Sequence, residues 1–310
     1  MDQHTLTDGG WTLGDKRTEN LLKKLQSAGT PLEEYVMGGI YYGIKTGLNK
    51  AFVIDERTKN KLIEEDPKSA EIIKPFLVGR DIKRYQPPNS GKFIILMPKG
   101  WTNLKSGETK NKWKWLRENY PAITCHLAPF SSDGDIRCDM GDYWWELRTC
   151  DYYEQFTKPK IIYAEIAING QFTLDTENYF SDTTSYILGT DSKYLLGILN
   201  SRLWSFLFSK VSSEIQGGFY RWKRQYMATL PIYTIDFDNP DDKARHDRMV
   251  TLVTEMLELH KHLSSAKTDQ EKRLITQEIE STDRQIDSMV YGLYGLTADE
   301  IAVVEESVSK

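Results

Sequence analysis

The apolar positions of this chain switch between helical and strand-like periods. From Lys16 to Ala28, Leu21, Leu22 and Leu25 recur at helical spacing, and Gly29-Thr30-Pro31 ends the run because glycine and proline break helical geometry. Two β-type runs follow, Ile40-Tyr41-Tyr42-Gly43-Ile44 and Ala51-Phe52-Val53-Ile54. The polar, glycine-centred Lys45-Thr46-Gly47-Leu48-Asn49-Lys50 joins them, and the pattern predicts a β-hairpin. Residues 58–73 read as helical, and Phe93 to Met97 reads as a buried strand. Ile161 to Ala164 and Gln171 to Leu174 flank Asn169-Gly170, a strong hairpin signal. Tyr194 to Phe208 reads as one apolar helix, and Asp236 to Asp242 as a linker. Met249, Leu252, Val253 and Met256, then Ile279, Ile286 and Val290, mark two amphipathic helices with Thr268 or Asp269 as the second cap. The expected fold class is α+β: a mixed-sheet domain over 1–238 and an antiparallel helical hairpin over 239–310.

Residues 101–150 are irregular and aromatic, holding Trp101, Trp113, Trp115, Tyr120, Phe130, Tyr143, Trp144 and Trp145. Such rings stack on bases or, more commonly, pack between elements. The 310 residues include 39% hydrophobic and 12% aromatic positions, enough for real cores. No apolar run approaches the roughly 20 residues of a membrane span. The start, around Trp11, Leu13 and Gly14, has no basic lead and no apolar segment of the kind that directs secretion. Cys125, Cys138 and Cys150 match no zinc spacing, and a reducing cytoplasm is the simplest expectation.

The net charge of −5 conceals an uneven distribution. Residues 41–100 carry 12 Lys+Arg and 7 Asp+Glu, and residues 201–235 carry 5 and 1, whereas residues 236–310 carry 9 and 17. Two basic blocks precede an acidic tail, so nucleic-acid binding is compatible with the sequence. The first block includes the loop with Lys45, Thr46, Asn49 and Lys50, either a solvated tip or a group of phosphate and base contacts. The second includes Gly217-Gly218-Phe219-Tyr220-Arg221-Trp222-Lys223-Arg224-Gln225-Tyr226, suited to gripping phosphates and stacking, or to packing on its own domain.

Catalytic signatures are missing. No glycine-rich cofactor loop follows a strand, and the tandem prolines of Gln86-Pro87-Pro88-Asn89 lack the flanking residues of an adenine-gripping motif. Asp81-Ile82-Lys83 has nuclease-like spacing with no preceding Pro-Asp. His4, His126, His246, His260 and His262 suggest no metal set. Neither catalysis nor a metal is expected of this chain.

G-I-K-T-G-L-N-K-A-F-V-I-D, followed by S-A-E-I-I-K-P-F-L-V-G-R-D-I-K-R-Y, resembles the TaqI-like C-terminal specificity domain. That domain is the target-recognition part of N6-adenine DNA methyltransferases, found in type IIG restriction–modification enzymes and similar to type I specificity subunits. L-L-K-K-L-Q-S-A-G-T-P-L-E-E-Y resembles its start, and Lys158-Pro159-Lys160 and L-L-G-I-L-N-S resemble later elements. L-P-I and the tail I-D-S-M-V-Y-G-L-Y-G-L-T-A-D-E-I-A-V-V-E complete the series. The resemblance covers nearly the whole chain and is specific at 39–55, 69–85, 194–232 and 284–304.

The resemblance implies sequence-specific recognition of double-stranded DNA by a C-terminal piece of a larger cytoplasmic phage-defence enzyme. Lys45, Lys50, Lys83, Arg84, Lys158, Lys160, Arg221, Lys223 and Arg224 would hold phosphates. Arg80 and Asn49 would read bases or buttress their loops, and Trp222 or Tyr226 would stack. S-adenosylmethionine would bind the methyltransferase portion, with any nuclease also outside this chain, and the helices would meet that portion or act as a spacer. The alternative is a protein–protein assembly or regulatory module with a degenerate specificity domain.

Overall fold

The first helical signal folds as expected. In the computed structural model, which describes residues 16–308, Lys16–Ser27 is a helix that buries Leu21 and Leu25. The sequence around Trp11, Leu13 and Gly14, with His4, lies outside the described residues. Contacts divide the chain into two units. One gathers the described residues of Met1–Gly38, Ala167–Gly170 and Ser192–Lys310, and the other comprises Gly39–Ile166 and Gln171–Asp191.

The second of these units is built on two four-stranded sheets. One is antiparallel throughout and orders its strands Ile40–Tyr42, Ser185–Leu188, Lys160–Ala164 and Phe172–Asp175. The other orders Val53–Asp55, Lys92–Ile95, Ile73–Leu77 and Phe180–Ser181, and its last pair is parallel, which makes it mixed. Every residue of Lys160–Ala164 is buried, as a strand covered on both faces must be. Phe52, Phe76, Ile94, Ile123, Ile162 and Ile187 belong to one continuous core.

The hairpin expected at 40–54 does not form. Tyr42 pairs with Tyr186 in one sheet, whereas Val53 pairs with Ile94 in the other. Between them, Asn49–Phe52 is a short helix that buries Ala51 and Phe52. Each run finds a better cross-strand partner far away, and it is side-chain pairing rather than adjacency that stabilises a sheet. Gly43 makes the crossing between sheets. Its N–H donates to the Ser185 carbonyl at 3.0 Å and the Ile44 N–H to the Ser181 carbonyl at 2.6 Å. The hairpin at 160–175 does form, with Tyr163 opposite Phe172, but residues 165–171 connect it in place of a two-residue turn.

The other unit is mainly helical. The apolar run at 194–208 is two helices, Lys193–Leu199 and Arg202–Val211. The break at Asn200-Ser201 has a local cause: the Ser201 hydroxyl accepts the Trp204 N–H at 3.2 Å, and Asp287 Oδ1 accepts the Arg202 N–H at 2.9 Å, so a new helix starts there. The antiparallel pair forms from Pro240–Ser265 and Asp269–Leu293, capped by Asn239 and Thr268. A further helix, Ala298–Val308, follows Gly295. Tyr291 donates to Glu305 Oε1 at 2.6 Å and Tyr294 to the Pro231 carbonyl at 2.8 Å, tying the tail to its own unit.

A Cβ at position 43 would stand 1.8 Å from the Asp182 carbonyl oxygen. Gly43→Ala is therefore expected to lower stability by about 1–3 kcal/mol through backbone displacement. Urea unfolding checks this, and an unchanged midpoint would show that the crossing has slack.

Candidate nucleic-acid interface

The 45–50 loop is held from behind by the aromatic, irregular segment. The buried Arg137 guanidinium donates to the carbonyls of Thr46 and Glu146 and, at 3.0 Å, to that of Trp144, and it lies 4.5 Å from the Phe52 ring centroid. Burial pushes its pKa down to about 10. The Thr46 side chain is buried and donates to Asn49 Oδ1, so Thr46 shapes the loop from inside. Asn49, Lys45 and Lys50 are exposed. Lys45 Nζ pairs with Asp139 Oδ2 at 2.8 Å and Lys50 Nζ with Asp133 Oδ2 at 2.5 Å. The fully buried Glu146 carboxylate accepts the N–H groups of Gly100, Thr102 and Asp142 at 2.8–3.1 Å and pins the segment that carries these acids.

The turn after strand Ile73–Leu77 is equally fixed. Asp81 Oδ2 accepts the Val78 N–H at 3.2 Å and Lys92 Nζ at 2.7 Å, and the Gly79 N–H donates to Thr184 Oγ1 at 2.7 Å. Asp81 is thus a structural cap. Among the described residues no group of three or more His, Cys, Asp or Glu side chains gathers at metal-binding range. Arg80 and Lys83 are exposed, and neither forms an ion pair among the described residues. Arg84 is half-buried, with its guanidinium 4.9 Å from the Tyr85 ring centroid.

Lys158 is exposed, but Lys160 is not a phosphate contact. Its side chain is fully buried, with Nζ 2.5 Å from Asp175 Oδ2 and 2.8 Å from the Phe156 carbonyl. Burial pushes its pKa down and Asp175 pulls it back up. In the helical unit, Trp222 likewise has no face open for stacking on a base. It is buried, stacked on Phe208 at 3.9 Å, and its indole N–H donates to the Ala167 carbonyl at 3.1 Å. Its neighbours remain at the surface: Arg221 and Arg224 are exposed, Lys223 and Tyr226 half-buried, and Arg224 pairs with Glu33. The tryptophans of 101–145 mostly pack together. Trp113 lies 5.1 Å from Trp144 and 4.9 Å from Trp145, and the Trp145 N–H donates to Thr102 at 3.0 Å. The three cysteines are free.

These surfaces lie within or beside a recognised family. Residues 74–232 match the family model of the TaqI-like C-terminal specificity domain. The chain belongs to that family. The type II methyltransferase M.BstVI of Geobacillus stearothermophilus is 19% identical to this specificity domain over 313 residues, covering 97% of this chain and 47% of that protein. The chain therefore spans about half the length of the curated relative it matches. The type IIL restriction-modification enzyme MmeI, solved in complex with DNA, is similar in fold. Its TM-score is 0.56 at 14% identity, over 87% of this chain and 35% of that one. The type IIG restriction endonuclease BpuSI gives 0.45 at 12% identity, over 90% and 33%.

Arg137 and Asp139, which touch the 45–50 loop, and Arg148, which pairs with Asp139, were not singled out by the sequence. They lie in its irregular part, where charged residues look like ordinary surface, and a short pattern would not have singled them out. A Cβ on Gly47, whose φ is +67, would meet Asp139 Cβ at 2.9 Å and Arg137 Cδ at 3.7 Å, so the chain's own side chains fill that space. No described helix is long and apolar enough to cross a membrane.

Lys160→Ala leaves Asp175 buried without its cation and is expected to destabilise by about 3–5 kcal/mol. Lys158→Ala leaves stability unchanged and weakens any phosphate contact. Chemical denaturation of both variants separates the two roles, and equal midpoints would sink the distinction.

Proposed function

We propose that this specificity domain reads a short sequence in double-stranded DNA for a larger N6-adenine restriction–modification enzyme. Methyl transfer from S-adenosylmethionine, and any cleavage, belong to a methyltransferase or nuclease portion outside this chain. Recognition is assigned to residues before 238 and contact with that portion, or spacing from it, to the helices after it. The cytoplasm, where such an enzyme meets incoming DNA, is the proposed location.

One observation carries the reading. The matched span 74–232 includes the exposed cations Arg80, Lys83, Lys158, Arg221 and Arg224, with half-buried Arg84 and Lys223 among them. With Lys45 and Lys50 they are the proposed phosphate contacts, each taken within its own unit, and Arg80 and Asn49 are the proposed base readers. Tyr226 remains the candidate for stacking. An assembly role for the helical pair is supported by a different feature. Arg245, Arg248 and Arg284 line an open groove of about 620 Å³ with Leu252 and Met289, a patch of cations and apolar surface within the acidic tail.

Selection of bound sequences from a random duplex pool, across a salt series, tests the proposal. Enrichment of a motif of a few base pairs with steeply salt-dependent affinity is expected. Lys83→Ala should weaken binding to all sequences alike and flatten the dependence of log K on log salt by about 0.9. Absence of binding even at low salt would shift the reading to the protein–protein alternative.

A further inference from the structure

We infer that Asp139 is a specificity-determining residue: its carboxylate stands where a DNA phosphate would bind between Lys45 and Arg148, and thereby restrains the loop's affinity for DNA of arbitrary sequence. This rests on the recognition reading above. Asp139 Oδ2 is 2.8 Å from Lys45 Nζ, and Oδ1 is 3.4 Å from Arg148 Nη1. The acid's side chain is 20% exposed, the cations 55% and 53%. The carboxylate thus lies largely covered, while both cations keep donors in solvent.

Asp139 is held in place by its packing on Gly47. The Lys45 ammonium also holds the carboxyl below the usual Asp range, so the acid stays charged. Asp133 treats Lys50 in the same way at 2.5 Å. Each lysine of the recognition loop is therefore met by an acid. Lys45 and Arg148 also line a cavity of about 250 Å³ walled by Tyr42, Tyr152 and Tyr153, so this is a shaped surface with two cations on it.

Carboxylate and phosphate are both oxyanions and compete for the same N–H donors. A duplex that engages Lys45 and Arg148 must displace Asp139, and the displaced acid then repels the phosphate that replaced it. Base contacts made only to the target seat its backbone so that the phosphate lies clear of the displaced acid, whereas an arbitrary sequence, held through its phosphates alone, meets the full repulsion. Specificity is then gained through a built-in repulsive element.

The test uses the whole chain with two probes, a random-sequence duplex and the duplex selected by the unaltered chain. Asp139→Asn preserves shape and removes the charge. It is expected to bind the random duplex roughly threefold to tenfold more tightly near 0.1 M salt, with a salt slope steeper by about 0.9. Affinity for the selected duplex should rise less, so discrimination falls. Asp133→Asn, at an acid 48% exposed, should change binding in the same direction without touching the packing on Gly47. Unchanged or weaker random-duplex binding by both variants, with thermal unfolding preserved, overturns the inference alone. If the unaltered chain and both variants bind neither duplex, the recognition reading fails and the inference falls with it.

Discussion

A single buried ion pair sets the frame of the sheet unit. Lys160 and Asp175 stand opposite each other at one end of the pair formed by an inner strand and the edge strand of their sheet, both without solvent exposure. Two charges out of water are tolerated only when paired and further hydrogen-bonded. Here the lysine also donates to the Phe156 carbonyl, while Asp175 accepts the N–H groups of Glu177 at 2.8 Å and Tyr179 at 2.9 Å. The same carboxylate therefore shapes the connection into Phe180–Ser181, the strand that pairs in parallel with Ile73–Leu77 in the second sheet. A slip of one residue would strand both charges in the core, so the pair opposes any other register.

The second organising group is Arg137. Its guanidinium gathers three backbone carbonyls from two distant stretches, and it lies over Phe52. Arginine suits this because its planar fork of donors stays charged even where burial lowers its pKa. The consequence is that a loop with two lysines is held against a segment that also carries Asp133 and Asp139. Backbone order and surface electrostatics at the candidate interface have one source.

The helical unit follows a simpler logic. Side-chain caps at Ser192, Ser201, Asn239 and Thr268 decide where helices begin. Met249, Leu252, Val253 and Met256 form the buried stripe of the first long helix. Around Trp222, the basic run alternates between core and surface, because a side chain stacked on Phe208 commits its neighbours Arg221 and Lys223 to other directions. A row of cations and aromatics in sequence is thus not a row in space.

Local signals settled much of this chain before any fold was in view. Helical periods at Lys16–Ser27 and in the two long helices, the cap at Thr268, and the pairing of 160–164 with 172–175 depend on residues close in sequence, and so did the motifs that marked the family. Tertiary structure decided the rest. The partners of Ile40–Tyr42 and Val53–Asp55 lie far along the chain, so adjacency misled. Neither the cationic type of Lys160 nor the expected stacking role of Trp222 foretold burial, since burial depends on Asp175 and Phe208. Arg137 and Asp139 acquire meaning only where folding brings them against residues 46–47. Periodicity and capping act over one or two turns of chain, whereas charge pairing and sheet partnership act through space.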